Sequence, residues 1–349
     1  MKKSTMRDVS RVTGLSMFTV SRALSGADGV SDESRMQVRR VADELGYIPN
    51  RAAQDLRKVS RDSVAVITAS TSNSYYLDLM SGIQKALRPA NWTVVMADVA
   101  VDGVYDPDLE ERTVRRLIET RTAGVISTLA LKPANAALLA RWDIPLVFVD
   151  SAPPKGKAAF PSVTTDNYKA SREVGRHLAE HGYEDWLFLI YPSRWSTRFE
   201  RERGIREAAE IHGVRLEVLE SGNDPDSAHA VMAERLGEGR SLPRALVAGN
   251  NPLLLGALRL LREKALRIPE DIAVIGFDEF AWSGLIDPPL TVLNERSEEI
   301  GHRAASMLAR IIDGQSEAER RGAPAQPTYR DEDVQQVEAE LVIRRSCGC

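Results

Sequence analysis

The sequence predicts an α/β protein in two parts, an N-terminal helix-turn-helix unit followed by a two-lobed core of doubly wound parallel sheets. Three observations predict it. The first fifty residues carry apolar positions at helical spacing, punctuated by capping residues. From Ser63 onward, short β-branched runs alternate with longer helical stretches, and the same alternation restarts at Asp166.

Met6, Val9 and Val12 predict a short amphipathic helix from Met6 to Thr13, with Leu15 buried in the corner after it. Gly14 supplies the left-handed conformation that ends this helix. Ser16 is placed to cap a second helix from Met17 to Leu24. Val20, Ala23 and Leu24 share one face of it, which turns Met17, Phe18, Ser21 and Arg22 outward. A third helix starts at Ser31 and has Asp32 and Glu33 in its first turn, where the helix dipole favours them. It buries Val38, Val41, Ala42 and Leu45 and ends at Gly46. In such a pair the second helix is the element that enters a DNA major groove, although the same geometry recurs in folds with no nucleic-acid role. The stretch Asn50 to Leu56 has helix formers but falls below the ~12–15 residues at which an isolated helix becomes marginal in water.

In the core, strands are expected at Val64–Ile67, Trp92–Met96, Gly124–Ile126 and Pro145–Val149, with helices near 77–90, 107–121 and 133–141 between them. After Asp166, strands are expected near Trp186–Ile190, Arg215–Leu219, Ala245–Ala248 and Ile272–Ile275. Two doubly wound units imply a cleft between two lobes, where ligands meet the carboxyl ends of the strands.

Thr5 to Leu24, centred on Val20-Ser21-Arg22 and followed by Tyr47-Ile48-Pro49-Asn50-Arg51-Ala52-Ala53, resembles the headpiece of the lactose-repressor (LacI/GalR) family. The resemblance runs over nearly the whole chain. It implies a sequence-specific DNA-binding transcription regulator, a repressor, switched by a small effector such as a sugar, with a core resembling periplasmic sugar-binding proteins. It divides the chain into a headpiece (1–48), a hinge helix and linker (49–62) and an effector-binding core (63–345). Lobe 1 is expected over 63–164 and 292–325, and lobe 2 over 165–291 and 326–345. The helix from Glu295 to Ile312 is expected to return to lobe 1, residues 314–335 to form a solvated excursion, and a strand from Val337 to Ile343 to return to lobe 2.

The resemblance also assigns residues. In the family the hinge folds against operator DNA, and a leucine at the position of Leu56 wedges into the minor groove. Ser16, Thr19 and Asn50 then contact phosphates, and Met17, Phe18, Ser21 and Arg22 reach base edges, with Arg22 the candidate for a guanine. Met17-Phe18 is more apolar than the pairs common in the family. In the core, Ile275-Gly276-Phe277-Asp278 matches a motif whose aspartate binds effector hydroxyls, Arg201 matches the effector-clamping arginine, and Asn250 matches the asparagine after its strand. The family usually has Asn-Asp where this chain has Asn250-Asn251. Asp150, at a strand end, is a further polar candidate or a cap. Tyr75, Tyr76, Trp195 and Trp282 are the aromatic candidates, each also able to be ordinary core packing.

Residues 1–61 hold 12 Lys/Arg against 7 Asp/Glu, while the whole chain has a formal charge of −4. A basic head on an acidic body suits DNA recognition by a protein that also senses a small molecule. The sequence has no apolar run of membrane-spanning length and no signal-peptide core, which predicts a cytoplasmic protein. It also has no apolar heptads after Ile343, which favours a homodimer, on near-palindromic DNA, over a tetramer. No Gly-rich phosphate loop, Gly-x-Ser-x-Gly elbow or His-Glu-x-x-His stands in it, so neither an enzyme nor a cofactor is expected. The alternatives are a sugar-binding or sugar-metabolising protein with no DNA role. His177 and His181 are spaced for a metal but no third ligand is evident in sequence, and Cys347 and Cys349 read as a frayed tail, so no metal is expected.

Overall fold

The computed structural model describes residues 4–25, 28–47, 63–68, 73–101, 104–151, 160–237 and 240–349. The expected hinge, with Asn50 and Leu56, lies outside them. The chain divides into two compact units, Met1–Arg61 and Asp62–Cys349.

The first unit contains α1 (Met6–Thr13), α2 (Met17–Ser25) and α3 (Asp32–Glu44). Thr5 and Asp8 form a reciprocal capping box at the start of α1, and Gly14 ends the helix at φ 70°. The Ser16 hydroxyl accepts from the Thr19 backbone N–H at 3.1 Å and so caps α2. Val9, Val20, Ala23, Val38, Val41 and Ala42 form the core. Val12 departs from expectation, being 54% exposed. Helical rotation carries it beyond the stripe and brings Thr13 inside instead, where its hydroxyl donates to the Val9 carbonyl at 2.8 Å. Leu15 is only partly buried.

The second unit begins with β1 (Ser63–Thr68), α4 (Tyr75–Leu87) and β2 (Thr93–Asp98), then the small hairpin β3 (Ala100–Val101) and β4 (Val104–Tyr105). There follow α5 (Pro107–Glu119), β5 (Gly124–Ser127), α6 (Pro133–Arg141), β6 (Leu146–Val149) and β7 (Ser162–Thr165). The rhythm resumes with α7 (Asn167–Glu180), β8 (Asp185–Ile190), α8 (Thr197–His212), β9 (Arg215–Glu220) and α9 (Pro225–Arg235). Next come β10 (Ala245–Ala248), α10 (Asn251–Glu263), β11 (Ala273–Phe277) and β12 (Thr291–Asn294). The chain finishes with α11 (Ser297–Arg320), β13 (Val334–Val337) and β14 (Glu340–Val342).

Two six-stranded sheets result, ordered β13-β7-β6-β5-β1-β2 and β14-β12-β11-β10-β8-β9. All pairings are parallel except β12 with β14. The strands β5, β6, β10 and β11 are buried along their whole length because helices cover both faces, which explains their unbroken apolar runs.

Strand β12 belongs to the second sheet, so the chain returns to lobe 1 after Asn294, where the helix expected from Glu295 begins. The last lobe boundary differs from expectation. Strand β13 joins the first sheet beside β7, so the last passage falls between Val337 and Glu340 rather than at 326. Only Val337 of β13 is buried, which is why so polar an edge strand was indistinct in sequence. The expected solvated excursion is partly structure. Helix α11 runs on to Arg320, and Gln315 is buried, donating to the carbonyls of Asp143 and Ala325 at 2.8 Å each.

Helices α4 and α11 cross at two facing glycines. A Cβ at Gly82 would lie 1.9 Å from the Glu298 carbonyl oxygen, and one at Gly301 would lie 2.2 Å from that of Leu79. The two backbones approach so closely that only glycine fits at either position.

Candidate functional site

The polar candidates of the core lie at the ends of strands and starts of helices, where the two lobes face each other. Arg201, on the first turns of α8, is 2% exposed. Its Nε donates to Asn167 Oδ1 at 2.6 Å, Nη1 donates to the Gly249 carbonyl at 2.5 Å, and Nη2 is paired with Glu295. The Phe277 ring lies under the guanidinium, 4.4 Å from Cζ to centroid. Every arm of the fork is thus already held within the protein.

Asp278 follows β11 with φ 69°, a left-handed backbone uncommon for a non-glycine residue. Its Oδ2 accepts from the Asn251 backbone N–H at 3.1 Å and from Asn73 Nδ2 at 3.4 Å. Asp150, at the end of β6, also has positive φ, at 50°, and its buried Oδ1 has no hydrogen-bond partner among the described residues. Glu295 follows β12, is 2% exposed, and has an unpartnered Oε2.

Three carboxyls therefore surround one guanidinium away from water. Burial pushes the Asp150 carboxyl up to about 7, against the pull of Arg201 and reinforced by Asp278. Burial likewise raises Asp278, opposed by Arg201 and by the Asn251 and Asn73 donors. Glu295 is driven well above the usual carboxyl range by burial, despite Arg201, with the charges of Asp278 and Asp150 adding to the effect. The protein keeps this acid cluster buried by holding protons on part of it.

Asn250 caps α10: its Oδ1 accepts from the Leu253 N–H at 3.1 Å, and its Nδ2 donates to Asn223 Oδ1 at 2.6 Å. Tyr75 and Tyr76 are buried edge to face, their centroids 5.3 Å apart, and the Tyr75 hydroxyl has no partner among the described residues. Trp195 packs against the cores of both lobes. Together Asn73, Tyr75, Tyr76, Asp150, Tyr191, Trp195, Arg201, Asn223, Asn250 and Asp278 line a cavity of about 20 Å³. That is room for about one water, far below the ~300–1,000 Å³ of a ligand pocket. A neighbouring cavity of about 630 Å³ shares Tyr75 and Asp278 with it, adds Glu295, and is lined further by Asp78, Glu279, Arg296, Glu298, Glu299 and His302. The smaller cavity gathers most of the strand-end residues, so it is the focus of the site, and the larger one adjoins it at Tyr75 and Asp278.

Trp282 does not join this group. It is 45% exposed and stacks on Phe280, 4.2 Å between centroids, lining neither cavity. Sequence reasoning missed Asn73, Asn167, Tyr191, Asn223 and Glu295. Glu295 and Tyr191 directly follow strands, a signal that was available, whereas Asn73 and Asn223 stand in loops without one.

The two lobes are clasped across the site. Asn251 Nδ2 donates to Ser74 Oγ at 2.8 Å and to Asn73 Oδ1 at 3.3 Å, and Arg194 lies over the Tyr105 ring at 3.2 Å.

In the first unit, Met17 and Phe18 are 42% and 62% exposed at the start of α2, beside exposed Ser16. Thr19, Ser21 and Arg22 are half-buried. The Arg22 guanidinium packs over Phe18, 5.4 Å from its centroid, and donates to the Asp28 carbonyl.

Residues 5–50 match the model of the lacI family of bacterial regulatory proteins, and residues 176–347 match that of a periplasmic binding protein-like domain. The HTH-type transcriptional regulator CelR of Thermobifida fusca is 29% identical over 324 residues, 90% of this chain and 94% of that protein. A solved transcriptional regulator CelR–cellobiose complex superposes with TM-score 0.69 at 26% identity, covering 98% of this chain and 99% of that one. The lac repressor dimer bound to operator and an anti-inducer has the same fold, with TM-score 0.79 at 24% identity and 99% coverage of both chains.

Proposed function

The chain belongs to the lacI family of bacterial regulatory proteins, and from that we propose that it is a cytoplasmic, non-enzymatic repressor, binding near-palindromic operator DNA as a homodimer and controlled by a neutral sugar in the cleft. On the DNA side, Ser16, Thr19 and Asn50 hold phosphates, Met17, Phe18, Ser21 and Arg22 face bases, and Leu56 wedges the minor groove. Met17 and Phe18 suit the methyl group of a thymine.

The observation that carries the effector class is the occupied fork of Arg201. An anionic ligand would have to displace Glu295 from a buried ion pair and would then face Asp150 and Asp278. Hydroxyl groups meet no such obstacle, since they donate to Asp278 and to the unpartnered Oδ1 of Asp150. Tyr75, Tyr76 and Trp195 supply flat faces beside these acceptors. The CelR–cellobiose complex, in a relative of similar fold, supports a sugar. For self-association, the edge strand β2 exposes Val95 and Met96, and the adjoining hairpin exposes Val101 and Val104.

The test is a thermal-shift screen of neutral mono- and disaccharides, cellobiose included, against sugar acids and purines. A true ligand raises the melting temperature by mass action, with about 2.7 kcal/mol expected at a hundred times its Kd. Its effect on binding of a palindromic operator fragment is then read by fluorescence anisotropy. Stabilisation by a sugar acid or purine alone would sink the neutral-sugar reading. In the same assay, Arg22→Ala should weaken operator binding by about 1–3 kcal/mol and leave the thermal shift intact.

A further inference from the structure

The end of the chain is not a frayed tail. Residues Arg345–Cys347 form a turn against the second sheet, and Cys347 is fully buried. The Ser346 hydroxyl donates to the Val274 carbonyl at 2.6 Å and accepts from the Thr291 N–H at 2.8 Å, which fixes the turn to β11 and β12. Tyr183 donates its hydroxyl to the Cys347 carbonyl at 2.9 Å. Gly348 then takes φ 88°, and a Cβ there would lie 2.5 Å from the Tyr183 oxygen. Only glycine makes this bend, and the bend returns Cys349 to the face of α7.

On that face stand His177, buried, and His181, exposed, one helical turn apart with ring centroids 4.6 Å from each other. Cys349 Sγ lies 3.5 Å from His177 Nε2 and 3.2 Å from His181 Nε2. The ligand atoms of these three residues fall within 4.8 Å of one another. Cys347 Sγ is 2.8 Å from Cys349 Sγ and 3.1 Å from the Thr291 hydroxyl. Two features that carry little meaning separately in the sequence, a His pair and a Cys-x-Cys ending, thus share one spot.

Tetrahedral coordination with Zn–N of about 2.0–2.1 Å and Zn–S of about 2.3 Å separates donor atoms by roughly 3.3–3.8 Å. The two His–Cys distances lie in or close to that range. Two imidazoles and a thiol form a borderline-soft donor set that selects zinc or cobalt over magnesium or calcium. We propose that His177, His181 and Cys349 bind one zinc-class divalent cation, as a structural site that ties the last residues of the chain to α7. A cation that binds here displaces the thiol proton. Exposed His181 and Cys349 form the entry side.

The experiment uses untagged full-length protein, reduced, stripped with a chelator and titrated anaerobically with Co²⁺. One equivalent should bind with a thiolate-to-cobalt charge-transfer band and the intense visible bands of a tetrahedral ion, and Zn²⁺ should bleach both. His181→Asn and Cys349→Ser alter exposed residues, so circular dichroism should stay native while cobalt affinity falls at least about tenfold. Absence of the charge-transfer band with both thiols titrated as free would overturn the site. Undiminished cobalt binding by natively folded Cys349→Ser would overturn it as well.

Discussion

At the scale of single residues, the cleft is governed by one buried cation serving more carboxyls than it can neutralise. Replacing Asp278 by Ala removes the acceptor facing the ligand, and a hydrogen bond to a charged group is worth about 1.5–3 kcal/mol. Asp278→Ala should therefore lose tenfold or more in effector affinity while operator affinity without effector stays near wild type. Isothermal titration for the one and anisotropy for the other decide it, and a variant that responds normally to effector would move recognition elsewhere. Asp150 gives a pH dependence. Its folded carboxyl is raised to about 7, above the ~3.9 of an unfolded chain, so the native state holds the extra proton between those values. Its contribution to stability is present at low pH and is lost as pH rises toward and through 7. Effector hydroxyls favour the ionised form, so binding should strengthen over the same interval. Asp150→Asn should flatten both profiles in paired denaturation and titration series from pH 5 to 8.

Part of the site could be read from residues because acceptors at strand ends follow a rule of α/β sheets: Asp278 and Asp150 both line the cleft, and Arg201, assigned by resemblance, joins them from α8. Glu295 was missed because no strand was read before it, although β12 is no shorter than β10, which was. Trp282 was included on proximity to Asp278 in sequence, yet the chain after a left-handed residue turns away, and the ring ends on the surface.

Among elements, α4 and α11 show how a long helix is held without a large side chain at its crossing. Adding a methyl at Gly301 forces the helices apart, at a cost of about 1–3 kcal/mol for overpacking. Gly301→Ala should lower the urea midpoint accordingly, and an unchanged midpoint would mean the crossing is looser than its contacts imply. Helix α2 was legible from its caps and stripe, since Ser16, Val20 and Ala23 obey local rules. Strand β13 was not, because its partner β7 lies far away along the chain and its own residues are half polar, whereas β14 falls inside the strand expected at Val337–Ile343 and joins the second sheet. The C-terminal turn was illegible for a similar reason: Ser346 is fixed by Thr291 and Val274, a long-range pairing without local periodicity.

For the whole molecule, control of DNA by the cleft requires linkage. Whatever factor the effector applies to operator affinity, operator must apply to effector affinity. Titrating the effector with and without operator fragment tests this, and equal affinities would show that the cleft is not a switch.

The clasp between the lobes bears on how such a regulator would behave in a cell. Asn251 of one lobe holds Asn73 and Ser74 of the other, and an aspartate at 251 would have set a fourth carboxyl beside the cluster. A ligand enters only during the fraction of time the clasp is open, so its apparent dissociation constant is the intrinsic one divided by that fraction. The strength of a few amide and hydroxyl contacts therefore sets how much effector is needed for half occupancy.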